Sequence, residues 1–514
     1  MFTKIKLLRN RKKVALNSSF QPPESFQPPE SFELSGGSPP RNLPTMKKIT
    51  LLFISYLFCS YGWAQSGYKI EGTIKGLKPG AYTLAHYFGY DQTITKDTAL
   101  VDDKGVLSFM GSKSLPEGLY MVLKPNKSRL LDFIIGPEQH FSFVSDTLSV
   151  VGNMKIEGSP DNERFFNYQQ KMLGYSQELT LVQAQAKVRQ DMISQAKIGN
   201  IRRQMSEYYH QFVKENAATF TGKILSASNE IALPTPPKRP DGRPDSAWLF
   251  NYYRAHFWDN FDFSDERLVR TPFLQRKLER YLQNLTFPAP DSLIQASDYV
   301  IGKALKGGSK EMQAYCIWYL TNQAETPNTV GGDAVFVHLA EKYYLGGIMP
   351  ITDSSTVQNI RSRVAIMKPL LVGKPMPALA LSDTARISFK LADIQSKYTV
   401  VFFYDPDCGH CRQSTPELKR FSEKYSSSVK VLAVSVTGSP DNWKKYIHDF
   451  GVGAWRHGYD FSFRTDFRKE FDVVNTPMVY VLDKDKKIIA RKMAVEQLDS
   501  FLDFYEEQSK LSKK

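Results

Sequence analysis

Seven consecutive strand-forming residues, Tyr398-Thr-Val-Val-Phe-Phe-Tyr404, lead into Asp405-Pro406-Asp407 and then Cys408-Gly409-His410-Cys411, after which a helical pattern runs to Tyr425. Two cysteines two residues apart, where a strand gives way to a helix, point to a redox dithiol. The first amides of a helix lack partners and carry partial positive charge. A sulfur placed there ionises more easily, and the thiolate is the nucleophile. Cys408 is therefore expected to be the exposed attacker. Cys411, one turn on, is expected beneath it as the resolving thiol. Gly409 lets a partner backbone approach, and a protonated His410 adds positive charge beside Cys408. Stabilising the reduced thiolate makes the disulfide more oxidising, with about 30 mV corresponding to 1.4 kcal/mol. Two other readings are weaker. A zinc site wants four ligands, no second CxxC exists, and His448 and His457 lack ligand-like spacing. A purely structural disulfide is the other.

Four features carry a family resemblance: the strand-to-CGHC junction, Pro416 five residues after Cys411, Thr476-Pro477 before a strand, and the hairpin-like segment Met478–Ala490. From about Gly373 on, the chain resembles the thioredoxin superfamily, in its extracytoplasmic branch of thiol–disulfide oxidoreductases related to cytochrome-maturation proteins. The resemblance implies that Cys408 and Cys411 form a redox-active disulfide. It also implies that Pro477 is cis and lies against the two sulfurs. X-Pro bonds tolerate cis, and proline has no N–H, so the preceding backbone is free to pair with an extended client. Thr476 and Tyr404 are expected to support the site. CGHC also resembles the tetrapeptide of protein disulfide isomerases. Two positions depart from the pattern: Phe402 stands where a buried Asp is often found, and Ser414 where cytochrome-maturation reductants often carry Glu. No proton acceptor for Cys411 is thereby identified; Glu417 reads as solvated, and Asp405 and Asp407 as turn residues. A peroxiredoxin reading fails because Asp405 stands where that family needs Thr.

The chain has 514 residues, of which 42% are hydrophobic and 13% aromatic, enough for several globular domains. Its formal charge is +14; residues 1–64, with nine Lys/Arg and three Asp/Glu, contribute +6, and the remaining +8 is scattered. Scattered positive charge without a nucleic-acid motif reads as solvated surface. Residues 1–45 hold the repeat Gln21-Pro-Pro-Glu-Ser-Phe, then Gln27-Pro-Pro-Glu-Ser-Phe, and a Gly/Pro/Ser-rich run. Met46 then opens what reads as a complete secretory signal: Lys47 and Lys48, the apolar stretch Ile49–Phe58, and Gly62-Trp63-Ala64 for cleavage. The expectation is that translation starts at Met46 and that the protein is exported to a periplasm or cell envelope. Lipid anchoring at Cys59 is disfavoured, since Phe58 stands where a small residue is expected. Cysteine usage agrees with export: only Cys316, Cys408 and Cys411 follow the signal, and Cys316 reads as a buried thiol.

Three domains are expected after the leader of residues 1–64. Residues 66–160 show strand signals about every ten residues, which predict a small antiparallel β-sandwich. Within it, Glu71-Gly-Thr-Ile74, Gly105-Val-Leu-Ser-Phe109 and Pro116-Glu-Gly-Leu-Tyr120 resemble an uncharacterised β domain that precedes thioredoxin-like domains in exported bacterial proteins. Residues 161–367 switch to helical periodicity and resemble an uncharacterised helical domain of such chains. Their aromatic stretch Trp248–Trp258 is expected to face a core, with a client-holding groove as the second reading. Residues 368–514 are the α/β, thioredoxin-like part. The function expected is an exported thiol–disulfide oxidoreductase, reductase or isomerase, that needs no cofactor or metal. Its partners would be proteins with thiols or disulfides and a membrane thiol donor, and no nucleic acid. The rival is a binding or assembly protein whose β and α domains hold a partner while the dithiol is secondary.

Overall fold

The period-two pattern of Tyr68-Lys-Ile-Glu-Gly-Thr-Ile-Lys75 buries every other residue in the first strand. Seven more strands follow in the computed structural model, which describes residues 67–511 apart from 91, 190–191 and 327–328. The proposed leader and signal peptide lie outside the described residues. The strands are β1 (Tyr68–Lys75), β2 (Gly80–Phe88), β3 (Gln92–Val101), β4 (Val106–Gly111), β5 (Gly118–Leu123), β6 (Arg129–Ile135), β7 (His140–Asp146) and β8 (Lys155–Glu157). They form two four-stranded sheets, ordered β4-β1-β7-β8 and β3-β2-β5-β6. The sandwich is not purely antiparallel: β1 and β7 run parallel, pairing Gly72 with Phe143. The Phe143 ring covers Gly72 so closely that a Cβ there would meet it at 2.1 Å, so any larger residue would have to displace that ring.

Helices follow from Pro160. They are α1 (Pro160–Arg189), α2 (Met192–Glu215), α3 (Phe220–Ser228), α4 (Ser246–His256), α5 (Phe273–Asn284), α6 (Pro290–Gly307), α7 (Lys310–Glu325), α8 (Asp333–Leu339) and α9 (Ser354–Met367). The described residues fall into two compact units. One runs to Phe287 and takes in Ala296–Tyr315; the other holds Pro288–Gln295 and everything from Cys316 on. In the first unit Asn162 on α1 is fully buried, accepting from Ile134 N and donating to Ile134 O, both at 2.7 Å, which ties the helix to β6. The inward packing expected of Trp248–Trp258 holds only at its end. Phe257 and Trp258 are buried against Tyr281, whereas α4 itself buries no residue and leaves Trp248 and Phe250 exposed.

The second unit joins α8 and α9 to the C-terminal α/β fold. Its elements are β9 (Ala380–Ser382), β10 (Ser388–Lys390), β11 (Tyr398–Tyr404), α10 (Gly409–Lys424), β12 (Val429–Ser435), α11 (Pro440–Phe450), β13 (Arg456–Tyr459), α12 (Phe467–Phe471), β14 (Met478–Leu482), β15 (Ile488–Arg491) and α13 (Leu498–Leu511). The seven-stranded sheet is ordered β10-β9-β13-β12-β11-β14-β15. β11 is central, parallel to β12 and antiparallel to β14. All seven of its residues are buried. Val400, Phe402 and Tyr404 enter one core with Cys411 and Leu418, while Val401 and Phe403 enter the other with Phe471 and Tyr480. This strand is the floor on which the dithiol stands. No helix among the described residues is long and apolar enough to cross a membrane.

Candidate active site

The turn after β11 is built by Asp405. Its carboxylate accepts from the Asp407 amide at 2.8 Å and its carbonyl from the Cys408 amide at 3.1 Å. That turn delivers Cys408 as the N-cap of α10, in extended geometry (φ −73°, ψ 120°), with its carbonyl accepting from Arg412 N at 3.1 Å. Pro416 inside α10 lacks the N–H that would bond the Arg412 carbonyl. The helix still buries Cys411, Thr415, Leu418 and Phe421 on one face.

Cys408 and Cys411 are both free thiols. Cys408 is partly exposed and its Sγ donates to the Thr476 carbonyl at 3.4 Å. Partial burial pushes its pKa up. Hydrogen bonds from the Cys411 backbone, the Thr476 side chain, the Cys411 side chain and the His410 backbone outweigh that and hold the thiol below its ordinary value. Cys411 is fully buried. Burial pushes its pKa up to about 12, against a hydrogen bond from the Asp405 backbone. The two thiols thus differ in the sense a nucleophile and a resolving thiol require.

The Thr476–Pro477 peptide is cis, and both residues are half-buried at the entry to β14, with Thr476 against Cys408. Gly409 and His410 are exposed, and a Cβ at 409 would meet nothing within 4 Å, so this chain's own packing leaves room there. Tyr404 is fully buried in the core that holds Cys411, with its ring 4.6 Å from Tyr446. Its hydroxyl has no hydrogen-bond partner among the described residues.

Residues not singled out from sequence complete the site. Thr415 Oγ1 donates to the Cys411 carbonyl at 2.8 Å, the Tyr446 hydroxyl reaches the same carbonyl at 3.3 Å, and the two hydroxyls hydrogen-bond each other. Thr415 was findable, one turn after Cys411; Tyr446, on α11, had no local signal. Phe402 is fully buried, stacked on Tyr404 at 5.5 Å. Glu417 pairs with Arg420 on the surface of α10. Cys316 is buried, and burial pushes its pKa to about 12. The described residues contain no group of three or more His, Cys, Asp or Glu able to hold a metal.

Residues 395–488 match the thioredoxin-like family. This region is a thioredoxin-like domain. Residues 68–165 and 202–365 match two families described only as domains of unknown function, DUF4369 and DUF5106. The chain is similar to the thioredoxin-like protein YneN of Bacillus subtilis, 24% identical over 117 residues, which are 22% of this chain and 65% of that protein. It therefore spans less than two thirds of that relative's length. A domain of a possible thiol-disulfide isomerase from Cytophaga hutchinsonii is 40% identical, covering 28% of this chain and 98% of that one with a TM-score of 0.27. A thioredoxin-like protein from Bacteroides caccae is 17% identical, covering 54% of this chain and 99% of that one with a TM-score of 0.43.

Proposed function

We propose that this chain is an exported thiol–disulfide oxidoreductase that acts on protein disulfides through Cys408 and Cys411. The observation that carries the reading is the asymmetry of the pair: a half-exposed thiol with a lowered pKa at the start of α10, above a fully buried thiol with a raised one. The Cys408 thiolate attacks one sulfur of a client disulfide, forms a mixed disulfide and releases a client thiolate. Cys411 then gives up its proton and attacks Cys408 Sγ. The intramolecular disulfide closes and the second client sulfur leaves as a thiol. Two electrons pass to the client, and a membrane thiol donor returns them. No carboxylate is hydrogen-bonded to either sulfur among the described residues, so the departing client thiolate is the base at hand for the Cys411 proton. Run in reverse, or returned to the same client, the same steps give oxidation or isomerisation. Hydrogen bonds that favour the reduced thiolate support a couple nearer the disulfide-isomerase value of about −180 mV than thioredoxin's −270 mV.

The exposed aromatic face of α4 favours a second reading, in which the N-terminal regions hold a partner and the dithiol is secondary. Insulin-disulfide reduction separates the two. The oxidoreductase reading expects turnover by wild type and loss of more than about 100-fold in Cys408→Ser, since the attacking atom is gone. Equal, negligible rates would favour the binding reading.

A further inference from the structure

The loop that presents Thr476 to Cys408 begins at Asp472, the residue that closes α12 with a left-handed backbone (φ 52°). Asp472 is fully buried, and its carboxylate meets three cations. Arg363, from α9, pairs with Oδ1 and reaches Oδ2 at 3.3 Å. Arg491 Nη2 donates to Oδ2 at 2.7 Å, and Lys492 Nζ lies 2.9 Å from the same oxygen. Behind these, Glu325 lies 3.5 Å from Arg363 Nε, and Asp333 lies 2.9 Å from Arg491 Nε without the alignment of a hydrogen bond. Three cations face three carboxylates, the balance that buried charges need. The start of the loop is also tied to the strand that follows it: the Tyr480 hydroxyl, in β14, donates to the Phe471 carbonyl at 2.6 Å. From Asp472 to Pro477 only Val474 and Asn475 are exposed. The place of Thr476, whose carbonyl lies 3.4 Å from Cys408 Sγ and whose side chain helps hold the thiol's pKa down, therefore follows where Asp472 is held.

We propose that Arg363 is a positioning residue for the dithiol, fixing through Asp472 the loop that sets Thr476 against Cys408. The proposal rests on the oxidoreductase reading. It gives the end of the DUF5106 match a part in the chemistry of the thioredoxin-like domain. A guanidinium suits this place because its planar fork spans both oxygens of one carboxylate, which an ammonium does not. With Arg363 gone, Asp472 keeps two cations, so the fold has a means of surviving while the loop loses its tie to α9.

The test uses the full chain and compares wild type, Arg363→Leu, Arg363→Lys, and Arg361→Leu as an exposed control on the same helix. Three quantities are read: the pH midpoint of Cys408 alkylation, kcat and KM for insulin-disulfide reduction, and Tm. The Thr476 side chain, placed by the same loop, helps hold the Cys408 pKa down. Arg363→Leu should thus raise the alkylation midpoint by about half a pH unit, leaving roughly threefold less thiolate at any pH below it. It should also lower kcat/KM by about tenfold. Arg363→Lys should recover part of both, and Arg361→Leu should match wild type. A wild-type midpoint and kcat/KM in Arg363→Leu would overturn the proposal, as would a lowered Tm with the midpoint unmoved. Should Arg363→Leu fail to fold, Glu325→Gln, which frees only the Arg363 Nε, must shift the midpoint the same way by less; no shift would overturn it. If wild type itself turns over no disulfide, the oxidoreductase reading fails, and the alkylation midpoints still decide the role of Arg363.

Discussion

Two sulfurs one helical turn apart differ because one caps α10 and the other lies under it. Cys408, partly buried, receives backbone donors and the Thr476 side chain; Cys411 receives mostly burial. An acid favoured as its anion titrates early, and an acid favoured as its neutral form titrates late. Alkylation of the reduced protein should therefore show Cys408 reacting with a midpoint below the ordinary thiol value of about 8.5. Cys411 should stay unreactive until the pH approaches 12 or the fold opens. Peptide-resolved labelling across pH reads both; equal midpoints would contradict the asymmetry. The spacing of the two cysteines and their place at a strand–helix junction were legible in the sequence. The partners that set their acidity were not, because Thr476 lies 68 residues from Cys408 and Tyr446 lies 35 from Cys411.

β11 shows what one element decides. Its alternating side chains fill both cores of the C-terminal sheet, so it has no polar face to spare. Phe402, where thioredoxin-like chains often hold Asp, is locked between Tyr404 and the surrounding aromatics. Phe402→Asp should leave a cavity and a buried charge with no partner, destabilising the domain by more than about 3 kcal/mol. Urea unfolding measures it, and a cost under about 1 kcal/mol would show that a water-accessible acid is tolerated there. Most elements were readable from period and turn chemistry. The exceptions have local reasons. α3 is buried almost all round and contains Thr and Gly, so it carries no helical stripe. The parallel pairing of β1 with β7 joins strands more than 60 residues apart, which alternation within each strand does not encode. The aromatic run before Trp258 looked like a core stripe, yet α4 turns Trp248 and Phe250 to solvent, where Trp248 stacks on Tyr252 at 5.4 Å.

At the scale of the molecule, the thioredoxin-like fold shares its compact unit with α8 and α9. The ion network of Glu325, Asp333, Arg363, Asp472, Arg491 and Lys492 runs through both. Nothing in the sequence paired Arg363 with Asp472, 109 residues apart. The proposed export places this arrangement where disulfides form and need correction. The central claim is that Cys408 attacks client disulfides and Cys411 releases them. The most direct test is to express full-length Cys411→Ser in cells and recover what is disulfide-linked to it. The account predicts client proteins joined at Cys408, released by reductant and absent from the Cys408→Ser, Cys411→Ser double variant; a Cys411→Ser protein recovered with no client attached would contradict it.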